Sequence, residues 1–390
     1  MVKRLKQHDV PSVFSWTKPV DENQINRQER AMKRDQRKHS TDSPLVLTST
    51  ENILIDVGSE IECISNIEVP VENDCTVETT KYETSSQTEP CGEFSIERFR
   101  DDNKTLLSFT GCESYDRFLM ILHSLGPVVN HLNYYYHDVK NVNIENQLFL
   151  TLVKLRLHWT NFNIAKMADI SETTVANIFI TWINFMYHQW KEEPIWPSQE
   201  LVRFFAPSDF RRKFPKTRVM IDGTECPVKK PAPPAAQQAT FSTYKNRNTV
   251  KILVGATPGG LISYVSPAYG GSTSDRQIVE RSGLMTLCDP CDSIMADKGF
   301  NVQHIFASYA VAINMPSFFS KKNRIDGKTV QKDRAISSKL VHIERLIGLA
   351  KTFKIMREPL IQSETNLSTE ILFVCCMLCN FKDNIISKNA

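Results

Sequence analysis

The sequence lacks an apolar run long enough to cross a bilayer, and no secretory leader is recognisable in it. Its most apolar stretch, Ile371–Cys379, is far shorter than the roughly 20 residues that a transmembrane helix needs. We therefore expect no membrane partner. Since no leader is present, the ten cysteines are expected to be reduced thiols of a nuclear or cytosolic protein.

A zinc site is also not expected. Two Cys-x-x-Cys pairs occur, Cys288/Cys291 and Cys376/Cys379, and a zinc site would require the pairs to meet in space. The second pair lies within the apolar run, where free cysteine on a buried helix is the better interpretation.

A large excess of charge of one sign is missing as well, because the formal net charge is only +3. The charges are nevertheless unevenly distributed. Residues 1–40 hold ten Lys/Arg against five Asp/Glu, residues 41–102 hold three against fifteen, and the rest carries a net +10. A basic body behind an acidic segment suits a polyanionic partner, although ordinary solvated surface charge is the alternative.

Composition and periodicity divide the 390 residues into four segments. A basic tail (1–40) is followed by an acidic, Ser/Thr/Glu-rich segment (41–102) with little periodicity, which we expect to be a disordered linker. Residues 103–200 have the apolar spacing of a small all-α domain, and residues 201–390 alternate strands and helices.

In residues 201–390, acidic residues lie near the ends of predicted strands and on predicted helices. The predicted order is three strands, a helix, a strand, a helix, a strand and a long helix. Asp222 ends the first strand before Gly223, Asp297 ends the fourth, and Asp275 begins the helix between. Glu344 lies on the long helix. This plan predicts an α/β fold, a ribonuclease-H-like mixed sheet flanked by helices.

Four carboxylates in such a fold have a chemical use. Phosphodiester cleavage with two divalent cations needs several carboxylates as hard oxygen ligands. We rank Asp222, Asp297 and Glu344 first, with Asp275 as a fourth, outer ligand. The expected cofactor is Mg²⁺, with Mn²⁺ as a substitute, and the four carboxylates should converge within about 10 Å.

The helical segment contains a helix-turn-helix pattern. A short helix over Asn163–Ala168 is followed by a tight turn and a second helix that Ser171 caps. Thr173, Thr174 and Asn177 would then form the exposed face of a DNA recognition helix. The motif is nearly balanced in charge, so packing or dimerisation is the alternative role.

Basic and aromatic residues near the acids are candidate DNA contacts. One group precedes the first strand, a second follows the Pro-rich loop Lys229–Ala239, and a third precedes the long helix. The candidates are Arg211, Arg212, Lys213, Tyr244, Lys245, Arg247, Lys321, Lys322 and Arg324. Arg345, beside Glu344, could orient that carboxylate or contact a phosphate, and a surface salt bridge is the alternative. Gly348 suggests close packing of the long helix on the sheet.

Five short motifs in this region occur in the order of one known family. They are Ile221-Asp-Gly-Thr-Glu225, Tyr244-Lys-Asn-Arg-Asn-Thr249, Tyr269-Gly-Gly-Ser-Thr-Ser-Asp275, Met295-Ala-Asp-Lys-Gly-Phe300 and His342-Ile-Glu-Arg345. Through them residues 217–381 resemble the DDE superfamily endonucleases of PIF/Harbinger-type transposases, in the branch that often carries an N-terminal THAP domain. The resemblance implies that Asp222, Asp275, Asp297 and Glu344 bind the metals, that double-stranded DNA is the partner and that strand transfer can follow cleavage.

The N-terminus resembles the end of a THAP zinc finger. Val10-Pro-Ser-Val-Phe14 is similar to the box that closes such a finger, whose zinc ligands would lie upstream. We expect a remnant without the finger's metal or DNA-reading surface; a chance Pro-containing basic tail is the alternative.

The expected function is a nuclear, metal-dependent DNA endonuclease of transposase origin. The rival is a domesticated, non-catalytic nuclear DNA-binding protein, and a nuclear scaffold that does not contact DNA is a weaker third. A homodimer or higher oligomer and an accessory targeting protein are further possible partners.

Overall fold

The first half of the described chain is helical. The computed structural model describes residues 94–317, 326–383 and 386, all within one compact unit, Cys91–Ala390. The predicted basic tail, the THAP remnant and most of the predicted linker lie outside the described residues. The helices of this half are α1 Asn103–Thr110, α2 Tyr115–Ser124, α3 Ile144–Leu157, α4 Asn161–Ala168, α5 Glu172–Glu192, α6 Gln199–Phe205 and α7 Ser208–Lys213.

Side-chain caps fix the predicted helix-turn-helix. Thr160 caps α4 and Ser171 caps α5, each by accepting a hydrogen bond from a backbone N–H of the first turn. Between the two helices Asp169 has a φ of 51°, a left-handed conformation that Asp tolerates better than most residues. A short helix, a tight turn and a capped second helix are therefore present where the sequence predicts them.

Helix α3 forms the centre of the helical part. It is buried almost throughout, including the polar Gln147. The Gln147 side-chain oxygen accepts hydrogen bonds from Trp182 Nε1 at 2.9 Å and from the Tyr134 hydroxyl at 2.8 Å. A buried amide that is satisfied in this way fixes the packing of α3 on α5.

A mixed sheet follows. Its strands are β1 Thr217–Pro227, β2 Phe241–Ser242, β3 Arg247–Ala256, β4 Ile262–Val265, β5 Tyr269–Gly270, β6 Ser293–Ala296 and β7 Ala312–Asn314. The strand order is β2-β3-β1-β6-β7, and β4 and β5 also pair with β3. Pairing of β1 with β3 is antiparallel, whereas β1–β6 and β6–β7 are parallel.

Helices surround this sheet and close the fold. They are α8 Pro234–Thr240, α9 Asp275–Arg281, α10 Gln303–Ala307, α11 Gly327–Ala350, α12 Gln362–Thr365 and α13 Ser368–Leu378. Helix α11 packs on β1, β3 and β6, and α13 contacts α5 of the helical part as well as α11 and β4. The mixed α/β architecture behind a helical part is as predicted. The two-residue strands β2 and β5 are additions, because strands so short leave no periodic signal.

Three predicted details of the fold are wrong. The Pro-rich loop Lys229–Ala239 is a loop only in its first part, because helix α8 begins at Pro234. Strand β1 does not end at Asp222 but continues through Gly223 to Pro227, because β3 pairs with it as far as Pro227↔Thr249. Gly348 does not mediate close packing, since a Cβ built there would meet no atom within 4 Å.

A buried ionic network joins the helical part to the α/β part. The Lys154 ammonium group lies 3.2 Å from Glu364, and the His158 ring lies 3.0 Å from the same carboxylate. Both Lys154 and Glu364 have side chains no more than 6% exposed. Among the described helices, none is both long enough and apolar enough to span a membrane.

Candidate active site

Two of the four predicted acids are neighbours across the parallel edge of β1. The last parallel pair of β1 and β6 is Ile221↔Ala296, so Asp222 and Asp297 are the next residues on adjacent strands. Neighbouring strands lie about 4.8 Å apart. The register therefore places these two acids side by side where the parallel pairing ends.

Asp275 approaches β1 over a glycine. It is the first residue of α9, whose start Ser274 fixes by a capping box with Gln277. A Cβ on Gly223 would lie only 2.9 Å from Asp275 Oδ1. Glycine at position 223 thus leaves room for this carboxylate against the strand that carries Asp222.

Lys251 and Glu225 also lie at the site, although neither was predicted as a site residue from the sequence. Lys251 Nζ lies 2.8 Å from Asp275 Oδ1 and 3.8 Å from Glu225 Oε1, and its side chain is 14% exposed. Glu225 and Lys251 are direct partners across β1 and β3. This pairing depends on the register of the hairpin, and the long insertion between its strands hides that register from sequence patterns.

Burial destabilises the charge of Asp222. Burial raises the pKa of Asp222 to about 6, and the neighbouring carboxylates of Asp297, Asp275 and Glu344 act in the same direction. A hydrogen bond of 2.8 Å from Gly223 N to Asp222 Oδ1 partly opposes the rise. All three other predicted acids therefore act electrostatically on Asp222.

These acids do not form a ready-made metal cage. In residues 94–317 and 326–383, no three His, Cys, Asp or Glu side chains are grouped so as to hold one metal ion. The expected convergence of the four carboxylates within about 10 Å stays a prediction. In the structure, one oxygen of Asp275 forms an ion pair with Lys251.

The donor chemistry nevertheless fits a hard divalent cation. The available ligands are carboxylate oxygens, which Mg²⁺ and Mn²⁺ prefer. The pKa of Asp222 is raised first by burial and then by neighbouring negative charge, and a bound cation would stabilise the ionised carboxylate against both. The cysteine pairs lie elsewhere: Cys376 and Cys379 are buried at the end of α13, as the apolar run predicts, and Cys291 is exposed.

The predicted recognition helix is only partly exposed. Thr173 is exposed and Thr174 is half-buried at the start of α5. The placement of Asn177 on the exposed face is wrong, because its side chain is fully buried. Asn177 accepts a hydrogen bond from Tyr136 N and donates one to the His137 carbonyl, so it anchors the preceding loop.

The predicted basic contacts differ in their surroundings. Arg211, Arg212 and Lys213 are exposed on α7, and the last two form ion pairs with Asp209. Tyr244, Lys245 and Arg247 are exposed in and after the turn between β2 and β3, and Arg345 is exposed beside the exposed Glu344. The candidates Lys321, Lys322 and Arg324 lie outside the described residues.

Comparison with known families agrees with this geometry. Residues 221–380 match the family described as DDE superfamily endonuclease, and residues 140–192 match the helix-turn-helix of DDE superfamily endonuclease. No curated protein gives a significant match. The first match covers Asp222, Asp275, Asp297 and Glu344, and the second covers α4 and α5. The chain is therefore similar, at a coarse level, to a transposase-type nuclease of the DDE superfamily with its DNA-binding helix-turn-helix.

Proposed function

We propose that this chain is a metal-dependent DNA endonuclease that hydrolyses phosphodiester bonds at a site built on Asp222, Asp297 and Glu344. The observation that carries the proposal is the β1–β6 register, which makes Asp222 and Asp297 neighbours at the end of parallel pairing. The charges of Asp275 and Glu344 on Asp222 support the inclusion of all four acids.

The side chains have separate roles in this proposal. Asp222, Asp297 and Glu344 hold Mg²⁺, or Mn²⁺ in its place, and Asp275 is an outer ligand. When bound, the divalent cations supply Lewis-acid stabilisation of the attacking and leaving oxygens. Lys251 positions Asp275 through the 2.8 Å ion pair and prevents full negative charge from accumulating before the cation binds.

The DNA-binding surface combines two parts of the chain. Thr173 and Thr174 at the start of α5 approach base edges, as the first turn of a recognition helix does. The exposed Arg211, Arg247 and Arg345 hold the phosphate backbone near the acids. Because phosphate contacts release counterions, binding should weaken steeply with added salt.

The finer assignment rests on the five sequence motifs. They support the PIF/Harbinger-type branch, a ribonuclease-H-like core and strand transfer after cleavage, and the separate box Val10-Pro-Ser-Val-Phe14 supports a THAP remnant. A nuclear location is part of the same proposal. A homodimer and an accessory targeting protein belong to the same proposal.

Nicking of supercoiled plasmid by the purified chain tests the activity. Nicking with Mg²⁺ or Mn²⁺, absent with EDTA and absent from Glu344→Gln, is the expected result. Glu344 is exposed on α11, so this substitution should not disturb folding. Metal-independent nicking, or undiminished nicking by Glu344→Gln, would refute the site.

A non-catalytic DNA-binding protein is the second candidate. The observation that favours it is the absence of a ready ligand cage among the described residues, together with the Lys251–Asp275 ion pair. A folded chain that shifts DNA in a gel but nicks it with neither cation would establish this alternative.

A further inference from the structure

An open groove lies between α8 and the β2–β3 hairpin, apart from the four acids. Its volume is about 870 Å³, within the roughly 300–1,000 Å³ of small-ligand sites. The lining includes the cations Lys230 and Arg247, the amides Gln237, Gln238 and Asn246, and the aromatic Phe241. The described lining contains no acidic side chain. Cations, amides and an aromatic ring together suit a ligand that is anionic, planar and rich in hydrogen-bonding groups.

The floor of the groove is rigid. A Cβ on Gly270 would overlap the carbonyl oxygen of Ala239, so glycine allows α8 to pack directly on the β5 backbone. The same carbonyl accepts a hydrogen bond of 2.7 Å from Ser272 Oγ. Asn248 Nδ2 donates to the Gln237 carbonyl at 3.0 Å. Since these bonds are intramolecular, the groove is formed before any ligand binds, which lowers the entropic cost of binding.

One face of β3 connects the groove to the acids. Side chains alternate along a strand, so Arg247, Thr249 and Lys251 share a face. Arg247 lines the groove, and Lys251 pairs with Asp275. The four residue steps from Arg247 to Lys251 span about 13 Å at ~3.3 Å per residue. This is the length of about four stacked nucleotides, at ~3.4 Å each.

The aromatic side chains here are accessible. Phe241 is 39% exposed, and Tyr244, in the turn of the same hairpin, is 82% exposed. The Lys245 ammonium group lies 4.5 Å from the centre of the Tyr244 ring. Aromatic rings beside cations are the means by which proteins bind single-stranded nucleic acid, since each base can stack while the cations contact phosphates. A base inside a duplex is already stacked, so it cannot use these rings.

We propose that this groove binds an unpaired nucleotide of the DNA strand that leads to the acids, with its base stacked on Phe241 and its phosphate held by Arg247. The inference rests on the proposed function, because it takes DNA as the substrate. It adds a preference for DNA with a single-stranded stretch about four nucleotides from the acids.

Binding without cleavage tests this preference. Fluorescence anisotropy in EDTA would compare the full chain on a labelled blunt duplex and on the same duplex with a short overhang of either polarity. The wild-type chain should bind one overhang duplex about tenfold more tightly than the blunt one. Phe241→Leu should reduce this ratio to near one and leave the affinity for the blunt duplex unchanged.

Phe204→Leu is the matched control. Phe204 is a 73% exposed phenylalanine on α6 that does not line the groove, so its loss should leave the ratio unchanged. If Phe241→Leu unfolds, as a thermal melt would reveal, Gln238→Ala replaces it, because Gln238 lines the groove and its exposed side chain contributes little to folding. It should lower the ratio several-fold.

Three outcomes would overturn the inference: equal binding of blunt and overhang duplexes by wild type, equal losses from Phe241→Leu on both DNAs, or equal losses from Phe241→Leu and Phe204→Leu. Equal losses on both DNAs would mean that the groove holds duplex phosphates only. A chain that prefers the overhang but never nicks plasmid would contradict the proposed nuclease and leave this inference standing. A chain that nicks plasmid without any overhang preference would contradict this inference alone.

Discussion

Two acids of this chain, both shielded from water, have pKa values that are shifted in opposite directions. Burial raises the pKa of Asp222 to about 6, and three neighbouring carboxylates contribute. Burial also acts to raise the pKa of Glu364, but a hydrogen bond to His158 and the charge of Lys154 outweigh it and hold that pKa at about 2. Burial is common to both sites, so the partners decide the direction.

We infer from this difference that Glu364 is a structural acid, whereas Asp222 belongs to the proposed site. Glu364 is satisfied within the chain, because Lys154 on α3 and His158 after it both contact its carboxylate. This network joins the helical part to the α/β part. Asp222 has like charges as neighbours, and such an arrangement is found where a site awaits an external cation.

Removing the charge of Asp222 should have the largest effect on activity. Asp222→Asn keeps the shape of the side chain but removes a proposed ligand of the cation. Since metal stabilisation of the reaction is worth several kcal/mol, plasmid nicking should fall on the order of 10⁴-fold. Asp297→Asn should match it, and Asp275→Asn should cost less if Asp275 is an outer ligand. Glu364→Gln is the matched control, because it removes the charge of the other buried acid. This variant should still nick plasmid at a temperature where it is folded.

Removing the charge of Glu364 should instead affect stability. Glu364→Gln leaves the Lys154 ammonium buried with no compensating charge, and such a change costs about 4 kcal/mol. Thermal unfolding should show a lower midpoint. The double variant Lys154→Met/Glu364→Gln should recover much of the loss, because it removes the unpaired charge. A double variant as unstable as the single one would mean that the ion pair is not the origin of the loss.

The surroundings of Asp222 could largely be predicted from the sequence, whereas those of Glu364 could not. The order of strands and helices, the position of Asp222 and Asp297 next to parallel strands, and the Ser171 cap follow from local periodicity and turn residues. The network of Glu364 could not be predicted, because Lys154 and Glu364 are 210 positions apart in the sequence and meet only through packing of the helical part. Asn177 is predicted on the exposed face of the recognition helix, whereas its side chain is buried and bonds the backbone of the loop before α3.

Acid should weaken the Glu364 network in a defined window. The folded pKa of Glu364 is about 2, below its usual 4.5, so its contribution is present above about pH 4.5 and is lost as the pH falls from 4.5 towards 2. The loss is about 3 kcal/mol over this window. Urea unfolding at several pH values should show the decline in wild type and a shallower one in Glu364→Gln. Parallel declines in the two proteins would contradict the assignment.

At Asp222 we expect folding stability to change with pH in the opposite direction. The folded pKa of Asp222 is about 6, above the usual 3.8, so ionisation of this carboxylate destabilises the folded state. This destabilisation is absent below pH 3.8 and reaches its full size above pH 6. Asp222→Asn should therefore be more stable than wild type at pH 7.5 in EDTA, by up to about 3 kcal/mol, and equal to it near pH 3.5. Added Mg²⁺ should raise the melting temperature of wild type more than that of Asp222→Asn. A variant less stable than wild type at pH 7.5 would refute the like-charge account.

Two glycines give the smallest and sharpest test. A methyl group at Gly223 would meet Asp275 Oδ1 at 2.9 Å, so Gly223→Ala should displace the Asp275 carboxylate by a few tenths of an ångström. Nicking should fall several-fold with little change in stability, because the displaced atom is the end of a side chain. Gly348→Ala is the control: it lies on α11 with no atom within 4 Å of a new Cβ, so it should stabilise the helix by about 1 kcal/mol and leave nicking unchanged. If both variants nick like wild type, the position of Asp275 does not matter to the reaction, and its charge acts on Asp222 without any role as a ligand.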